Sequence, residues 1–295
     1  MDGHAAGIPA RRQGIMLALA SFAMFTAMDT VVKLLSGRFH VLEVMLFTSG
    51  GALVVTFLVA QARGGLHRLK TRMLRRHLAR WALSFTSTVL IFSSFTQLSL
   101  ADVYAILFTS PLIATGLSVP LLKEQVGWRR WSAVGVGFAG VLLMLGPSGG
   151  TEPVRLLALC GAFLHACATI FLRWMRSGEP VETFALYGNV MTVVLALGAM
   201  PFVGVLPTPL EATIGLAAGA IAGCAFMLLV QAYHLAEAGV IAPFQYSQML
   251  YGLLVGFLLF GDIPEVTTVL GAAVVAASGV YVFHREAIRS RTSPA

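Results

Sequence analysis

Apolar residues form ten long stretches along the chain, and short polar connections separate them. Most stretches hold about 20 residues, the length that an α-helix needs to cross the hydrocarbon core of a bilayer. Only a helix or a closed barrel pairs all of its backbone groups in lipid, so the pattern predicts an all-α membrane protein with ten transmembrane helices. We number these helices spans 1 to 10 and place them at residues 14–35, 42–62, 81–99, 102–122, 131–147, 154–174, 183–205, 211–233, 240–260 and 265–283.

The basic residues lie on alternate sides of these spans. All 20 lysines and arginines except Lys33, Arg38 and Arg155 fall at the two termini or at the connections 2–3, 4–5, 6–7 and 8–9. Because basic loops stay in the cytoplasm, we predict the cytoplasmic (inner) membrane with both termini, 1–13 and 284–295, on the cytoplasmic side.

The composition agrees with a chain that lies mostly in lipid. Apolar residues make up 57% of it and charged residues 11%, against about 25% charged in soluble domains. The loop positions account for the net charge of +7, so we predict no nucleic-acid partner. The basic segment 63–80 suits a topology signal on anionic lipid better than an amphipathic surface helix. The three cysteines lie in spans without disulfide or metal-ligand spacing, and we expect neither a metal nor a cofactor.

The two halves of the chain resemble each other. The alignment pairs residues 16–22 with 156–162, Lys33 with Arg173, and Glu124 with Asp262. It defines two repeats of five spans, residues 14–147 and 154–283. Because five is odd, the second repeat is inverted in the membrane, which is typical of alternating-access transporters.

Span 1 carries two charged residues, Asp29 well inside the bilayer and Lys33 nearer its outer face. At a spacing of four they share one helix face, so we expect an ion pair. Asp29 either binds a proton or the substrate, or forms with Lys33 a neutralised structural or gating pair. Arg173, which aligns with Lys33, is the third residue assigned to gating or ion pairing.

Hydroxyl, amide and aromatic side chains concentrate in the repeat-related spans 4 and 9. They suit hydrogen bonding to a polar organic molecule and stacking against it, although such groups also hold helices together at about 0.6 kcal/mol each. Pro111 frees a backbone carbonyl in mid-membrane, which is tolerated beside a cavity or a protein neighbour. We predict that these residues line a substrate cavity: Tyr104, Phe108, Ser110, Gln245, Tyr246, Gln248 and Tyr251. Gln245, Gln248 and Gly252 would then share one helical face.

Three further polar residues in the spans are candidates for the cavity. His165, in the middle of span 6, is either a proton relay or a packed, hydrogen-bonded histidine. Gln97 at the outer end of span 3 and Gln231 at the inner end of span 8 are pore candidates. Close helix packing is predicted by the glycine stripe of span 8, Gly215, Gly219 and Gly223.

Several short runs keep their order along residues 14–286. They are Ala27-Met-Asp29 with Lys33, Leu100-Ala-Asp102, Phe108-Thr-Ser-Pro111, Leu121-Leu-Lys-Glu124, Phe244-Gln-Tyr246, Phe260-Gly-Asp262-Ile-Pro264 and Ser278-Gly-Val-Tyr281. Together they resemble the drug/metabolite transporter superfamily, EamA branch. The resemblance implies a central cavity lined mainly by spans 1, 3, 4, 6, 8 and 9, and transport of small organic solutes without ATP hydrolysis.

We therefore predict a secondary-active transporter of a small polar or amphipathic metabolite that is amino-acid-like, vitamin-like or nucleoside-derived. Protons are a candidate coupling ion through Asp29 and His165, and a monomer with both repeats could hold a complete pathway. The alternatives are an intramembrane enzyme, a channel or an accessory membrane subunit. No paired-acid or His-Glu-x-x-His motif supports an enzyme.

Overall fold

The computed structural model describes residues 8–65, 69–122, 128–144, 152–175, 181–236 and 238–292, and within these ranges it holds helices and no strand. Spans 1 to 3 are the helices Ile8–Ser36, Val41–Ala62 and Leu74–Ser94. Span 4 consists of Leu100–Leu107 and Ser110–Leu122, and spans 5 to 8 are Trp128–Met144, Glu152–Met175, Val181–Val203 and Pro209–Leu235. Span 9 consists of Ala238–Ile241, the 3₁₀ turn Ala242–Tyr246, Ser247–Val255 and the π-helical turn Gly256–Phe260, and span 10 is Val266–Thr292.

Within the described ranges, six helical segments are long and apolar enough to cross a bilayer, and they belong to spans 1, 2, 4, 6, 7 and 8. Spans 5 and 10 contain shorter apolar helices, Trp131–Leu143 and Val266–Tyr281. The predicted fold class, an all-α membrane protein, is confirmed. Span 3 begins seven residues earlier than the predicted residue 81, so the basic run Leu74–Arg80 is helical and does not belong to a loop.

Spans 4 and 9 are both broken near a proline. Span 4 turns at Phe108 and Thr109 and restarts at Ser110, with Pro111 in the first turn of its second helix. Span 9 has Pro243 at the start of its 3₁₀ turn. Proline lacks the amide hydrogen that a continuing α-helix needs and fits the first turn of a new one. As a result, Gln245 lies in the 3₁₀ turn and Gln248 in the α-helix that follows it directly.

Glycines let span 8 approach span 2 closely, as the stripe predicts. A Cβ atom at Gly215 would come within 2.7 Å of the Phe47 side chain, and one at Gly219 would overlap the backbone of Thr48. The partner span contributes Gly51, where a Cβ would overlap the carbonyl of Leu216. Backbone contact on both sides of this seam confirms the prediction of close packing.

Two helix crossings reproduce the internal repeat. Span 1 crosses span 8, where the Ser21 hydroxyl donates to the carbonyl of Ala225 at 2.7 Å. Span 6 crosses span 3, where the Ser87 hydroxyl donates to the carbonyl of Gly161 at 2.8 Å. Ser21 and Gly161 occupy the same position in the alignment of the two repeats. The two halves therefore contact each other through two crossings of the same type, one at each pair of spans.

Gly219→Ala is expected to lower the stability of the protein by about 1–3 kcal/mol, because the added methyl group overlaps a backbone that no side-chain rotation can move away. The measurement is the thermal unfolding midpoint of purified protein in detergent. Gly198→Ala in span 7 is the matched control, since a Cβ there meets open space, and it should leave the midpoint unchanged or raise it slightly. Equal effects of the two variants would contradict the backbone contact.

Candidate functional site

A cavity of about 820 Å³ lies between spans 1, 2, 3, 6, 7 and 8. At one end it reaches Met45 and Phe92, which are 3% and 8% exposed. At the other end it reaches Arg80, Phe184 and Leu172, at the ends of spans 3, 6 and 7 that are predicted to face the cytoplasm. Its volume lies within the roughly 300–1,000 Å³ of typical small-molecule sites.

Aromatic side chains form much of the cavity wall. Trp81 and Phe85 lie one turn apart on span 3, with ring centroids 5.1 Å apart, and Phe25 and Phe226 approach from spans 1 and 8. The Trp81 indole nitrogen donates to the hydroxyl of Thr192 on span 7 at 3.0 Å. This hydrogen bond fixes the indole orientation, so the wall presents a positioned aromatic surface.

The polar part of the wall is formed by Arg80, Ser84, Thr88, His165 and Asn189. The Arg80 Nη2 atom donates to the carbonyl of Phe184 at 3.2 Å, and the guanidinium lies over the Phe184 ring, 5.4 Å from its centroid. Arg80, Ser84 and Thr88 are spaced by four residues and follow one face of span 3. A wall that combines a guanidinium, hydroxyls and an amide with aromatic rings suits a polar molecule with a flat ring.

Arg80 is not among the site residues that the sequence predicts. It lies beside the predicted start of span 3, among the basic residues that indicate the topology. The helix, however, begins at Leu74 and carries Arg80 into the cavity. The i, i+4, i+8 pattern of Arg80, Ser84 and Thr88 was the signal in the sequence.

Of the predicted site residues whose side chains the structure describes, His165 alone lies on the wall of this cavity. Asp29 follows Met28, which is part of the wall, and accepts a hydrogen bond from the Tyr104 hydroxyl at 2.8 Å. Tyr104 is 2% exposed and packs over Gly252, where a Cβ would come within 2.7 Å of its ring. Asp29 and Tyr104 thus form a second polar centre between spans 1, 4 and 9.

The remaining predicted residues of spans 4 and 9 lie between helices. Phe108 and Tyr246 form an edge-to-face pair with centroids 4.8 Å apart, and the Tyr246 hydroxyl lies against Gly279 of span 10. The Ser110 hydroxyl donates to the carbonyl of Ala162 at 2.9 Å, which is the helix-joining role that the sequence left as the alternative. Tyr251 packs against the apolar cluster that includes Phe22 of span 1 and Ala232 of span 8.

The predicted glutamines lie outside the lining of this cavity. Gln97 and Gln231 are exposed, and Gln245 and Gln248 are half-buried in span 9. The side chain of Arg173 and the whole of Glu124 lie outside the described residues.

Lys33 joins span 1 to the connection between spans 9 and 10. Its ammonium group contacts the Asp262 carboxylate at 2.5 Å, donates to the carbonyl of Leu98 at 3.1 Å and lies 4.7 Å from the centroid of the Phe260 ring. Gly261 has a φ of 67°, which ends span 9 and brings Asp262 to this position. The predicted pairing of Lys33 with Asp29 is wrong, because this distant carboxylate takes the lysine while Tyr104 binds Asp29.

Asp262→Asn and Lys33→Met are each expected to lower stability by about 1–2 kcal/mol, since the pair is only 14% and 29% exposed and its loss leaves one charge unpaired. The exchange variant Lys33→Asp/Asp262→Lys should recover part of the loss. Thermal unfolding midpoints measure all three variants.

The control is Arg38→Gln, which breaks the more exposed pair with Glu211 on the same predicted side of the membrane. It should cost less than about 1 kcal/mol. A loss at Arg38 as large as the loss at Lys33 would argue against a special role of the Lys33 pair.

The sequence profile of the EamA-like transporter family matches this chain twice, over residues 12–146 and 153–283. The S-adenosylmethionine uptake transporter of Rickettsia bellii is 26% identical over 280 residues, which cover 92% of this chain and 94% of that protein. The riboflavin transporter of Vibrio cholerae is 27% identical over 289 residues, 95% of each chain. The pseudopaline exporter of Pseudomonas aeruginosa is 22% identical over 271 residues, 90% of this chain and 94% of that protein.

A solved crystal structure shares the fold. It covers 95% of this chain and 99% of its own, with a TM-score of 0.65 and 18% sequence identity.

Proposed function

The chain belongs to the EamA-like transporter family and is a multi-pass membrane transporter of small metabolites, and we propose that it moves a metabolite with a flat aromatic ring by alternating access. The cavity between spans 1, 2, 3, 6, 7 and 8 carries this proposal. It has the volume of a metabolite site and a wall of positioned aromatic rings beside polar groups. S-adenosylmethionine and riboflavin, named for two relatives, each contain a flat heterocycle and suit such a wall.

In this proposal, the structure represents the inward-facing state of the transporter. The Lys33–Asp262 pair joins span 1 to the connection after span 9 on the predicted outer side, whereas the cavity reaches Arg80 and Leu172 on the predicted cytoplasmic side. An inverted repeat supplies the opposite state by exchanging the conformations of its two halves. The repeated crossing at Ser21 and Ser87 gives each half the same type of contact for that exchange.

We place the protein in the cytoplasmic membrane with both termini inside. The four ion pairs among the described residues support this topology, because each pair joins helix ends or connections that are predicted on the same side. Arg38 with Glu211, Lys33 with Asp262 and Arg155 with Glu265 belong to the outer side, and Arg63 with Glu182 to the inner side. One chain carries both repeats, so a monomer suffices for transport. In this proposal no bond of the substrate is made or broken.

Uptake into proteoliposomes tests the transport proposal. Purified protein should accumulate radiolabelled S-adenosylmethionine or riboflavin with saturable kinetics, and the compound should be recovered unchanged. Trp81→Ala should raise the KM by about fivefold or more, because loss of an aromatic contact costs about 1 kcal/mol or more. Phe138→Ala is the control, since this ring on span 5 is 58% exposed and lies outside the cavity lining. Recovery of a chemically altered substrate would instead support an enzyme.

We also propose that Asp29 binds the coupling proton. The carboxylate is 9% exposed and in mid-membrane, and it pairs with no cationic side chain among the residues that the structure describes. An unpaired charge in that setting is costly, so the carboxyl group favours its protonated, neutral form. His165 on the cavity wall is the second candidate.

Asp29→Asn should abolish the stimulation of uptake by an inward proton gradient while leaving substrate exchange at equilibrium intact. The physical reason is that the amide keeps the hydrogen bond with Tyr104 but cannot titrate. The measurement compares uptake with and without the gradient, and His165→Asn serves as the parallel variant. Full gradient dependence in Asp29→Asn would assign the coupling to another group.

A further inference from the structure

Arg80 brings a positively charged group onto the wall of the cavity. It is half-buried on the cavity wall, in the second turn of span 3. No aspartate or glutamate is among the cavity-lining residues in the part of the chain that the structure describes. Arg63, on the same predicted side, is by contrast paired with Glu182. Among the described residues, the guanidinium therefore contributes a positive charge to the cavity that no lining carboxylate neutralises.

The hydrogen bonds of Arg80 are incomplete. A guanidinium has five N–H donors in a fixed planar arrangement. One nitrogen, Nη2, donates to the carbonyl of Phe184 at 3.2 Å, and Nε is buried without a partner among the described residues. A half-buried cation with free donors is costly unless an anion and further acceptors complete it. The carbonyl of Phe184 and the ring below hold the group in place without supplying a negative charge.

The neighbours of Arg80 are arranged to hold the rest of a molecule. Trp81 is the next residue and is fixed by its hydrogen bond to Thr192, and Ser84 lies one turn further along the polar face of span 3. Asn189 faces the same cavity from span 7. A ligand with an anionic group at the guanidinium can thus place a ring against Trp81 and its polar atoms near the hydroxyl and the amide.

We propose that Arg80 binds a carboxylate or phosphate group of the transported metabolite and so selects anion-bearing substrates over neutral ones with the same ring. The inference rests on the proposed function, because it names the substrate class of the same cavity. Arginine binds both anions through two parallel N–H donors, a geometry that lysine cannot reproduce.

Two matched pairs of compounds test this selection. S-adenosylmethionine and its decarboxylated form share the adenosine, the sulfonium and the ammonium group, and only the first carries a carboxylate. Riboflavin 5′-phosphate carries a phosphate that riboflavin lacks. Calorimetric titration of the full chain in lipid nanodiscs should show that the anionic member of one pair binds about tenfold tighter or more, and the pair that responds identifies carboxylate or phosphate.

The variants assign the preference to one residue. Arg80→Gln should reduce the ratio of affinities in the responding pair to near one, and Arg80→Lys should retain part of it. Arg76→Gln is the matched control, because Arg76 lies one turn earlier on the same helix, outside the cavity lining, against Trp174. It should leave the ratio unchanged. If Arg80→Gln folds poorly, the reduced ratio in Arg80→Lys beside the unchanged ratio in Arg76→Gln makes the assignment instead.

Equal affinity of wild-type protein for both members of each pair would overturn the inference, as would a preference that survives in Arg80→Gln or is lost equally in Arg76→Gln. In those cases the loss of binding in Trp81→Ala would still support the proposed function. Failure of all four compounds to bind would overturn the proposed function and the inference together.

Discussion

A bilayer offers no hydrogen bonds to polar groups, and this constraint governs most of the structure. Hydroxyls in the spans either return to their own helix, as Thr26 and Thr56 do, or join two helices, as Ser21 and Ser87 do. Close backbone approach then replaces the hydrophobic effect as the source of packing, which is why glycines line the seam between spans 2 and 8. Some buried polar atoms have no such partner among the described residues.

Two sets of these atoms lie at features that bear on the cavity and on the broken helices. One is Arg80 on the cavity wall. The other is the pair of broken helices, where the side-chain oxygens of Thr109, Tyr246 and Ser247 are buried without partners. Helices interrupted beside a proline bend more easily than continuous ones, and unpaired hydroxyls at the breaks leave acceptors and donors for another arrangement. Spans 4 and 9 are repeat-related, so an alternating motion can use the same kind of hinge in both halves.

The spans, the repeat and the glycine seam were predictable from the sequence because each depends on a local period or spacing. The partner of Lys33 was not predictable, since Asp262 is 229 residues away and local spacing favoured Asp29. Arg80 was hidden because a basic residue at a helix end also serves as a topology signal. The clustered polar residues of spans 4 and 9 favour a cavity between those spans. The cavity in the structure instead uses spans 2 and 7, whose polar residues are scattered along the helix.

Span 1 connects these separate features mechanically. Met28 lies on the cavity wall, and Asp29 is the next residue, about 100° further around the helix, where it meets Tyr104. One turn further on, Lys33 binds Asp262 at the outer end. An α-helix transmits rotation or tilt along its length, because its backbone hydrogen bonds keep it rigid. In the alternating-access cycle that we propose, breaking the Lys33 pair would therefore move Asp29 against Tyr104 and reshape the wall at Met28 in the same motion. Coupling between the proposed proton site, gate and substrate cavity would then require no long pathway, since one helix contributes a residue to each.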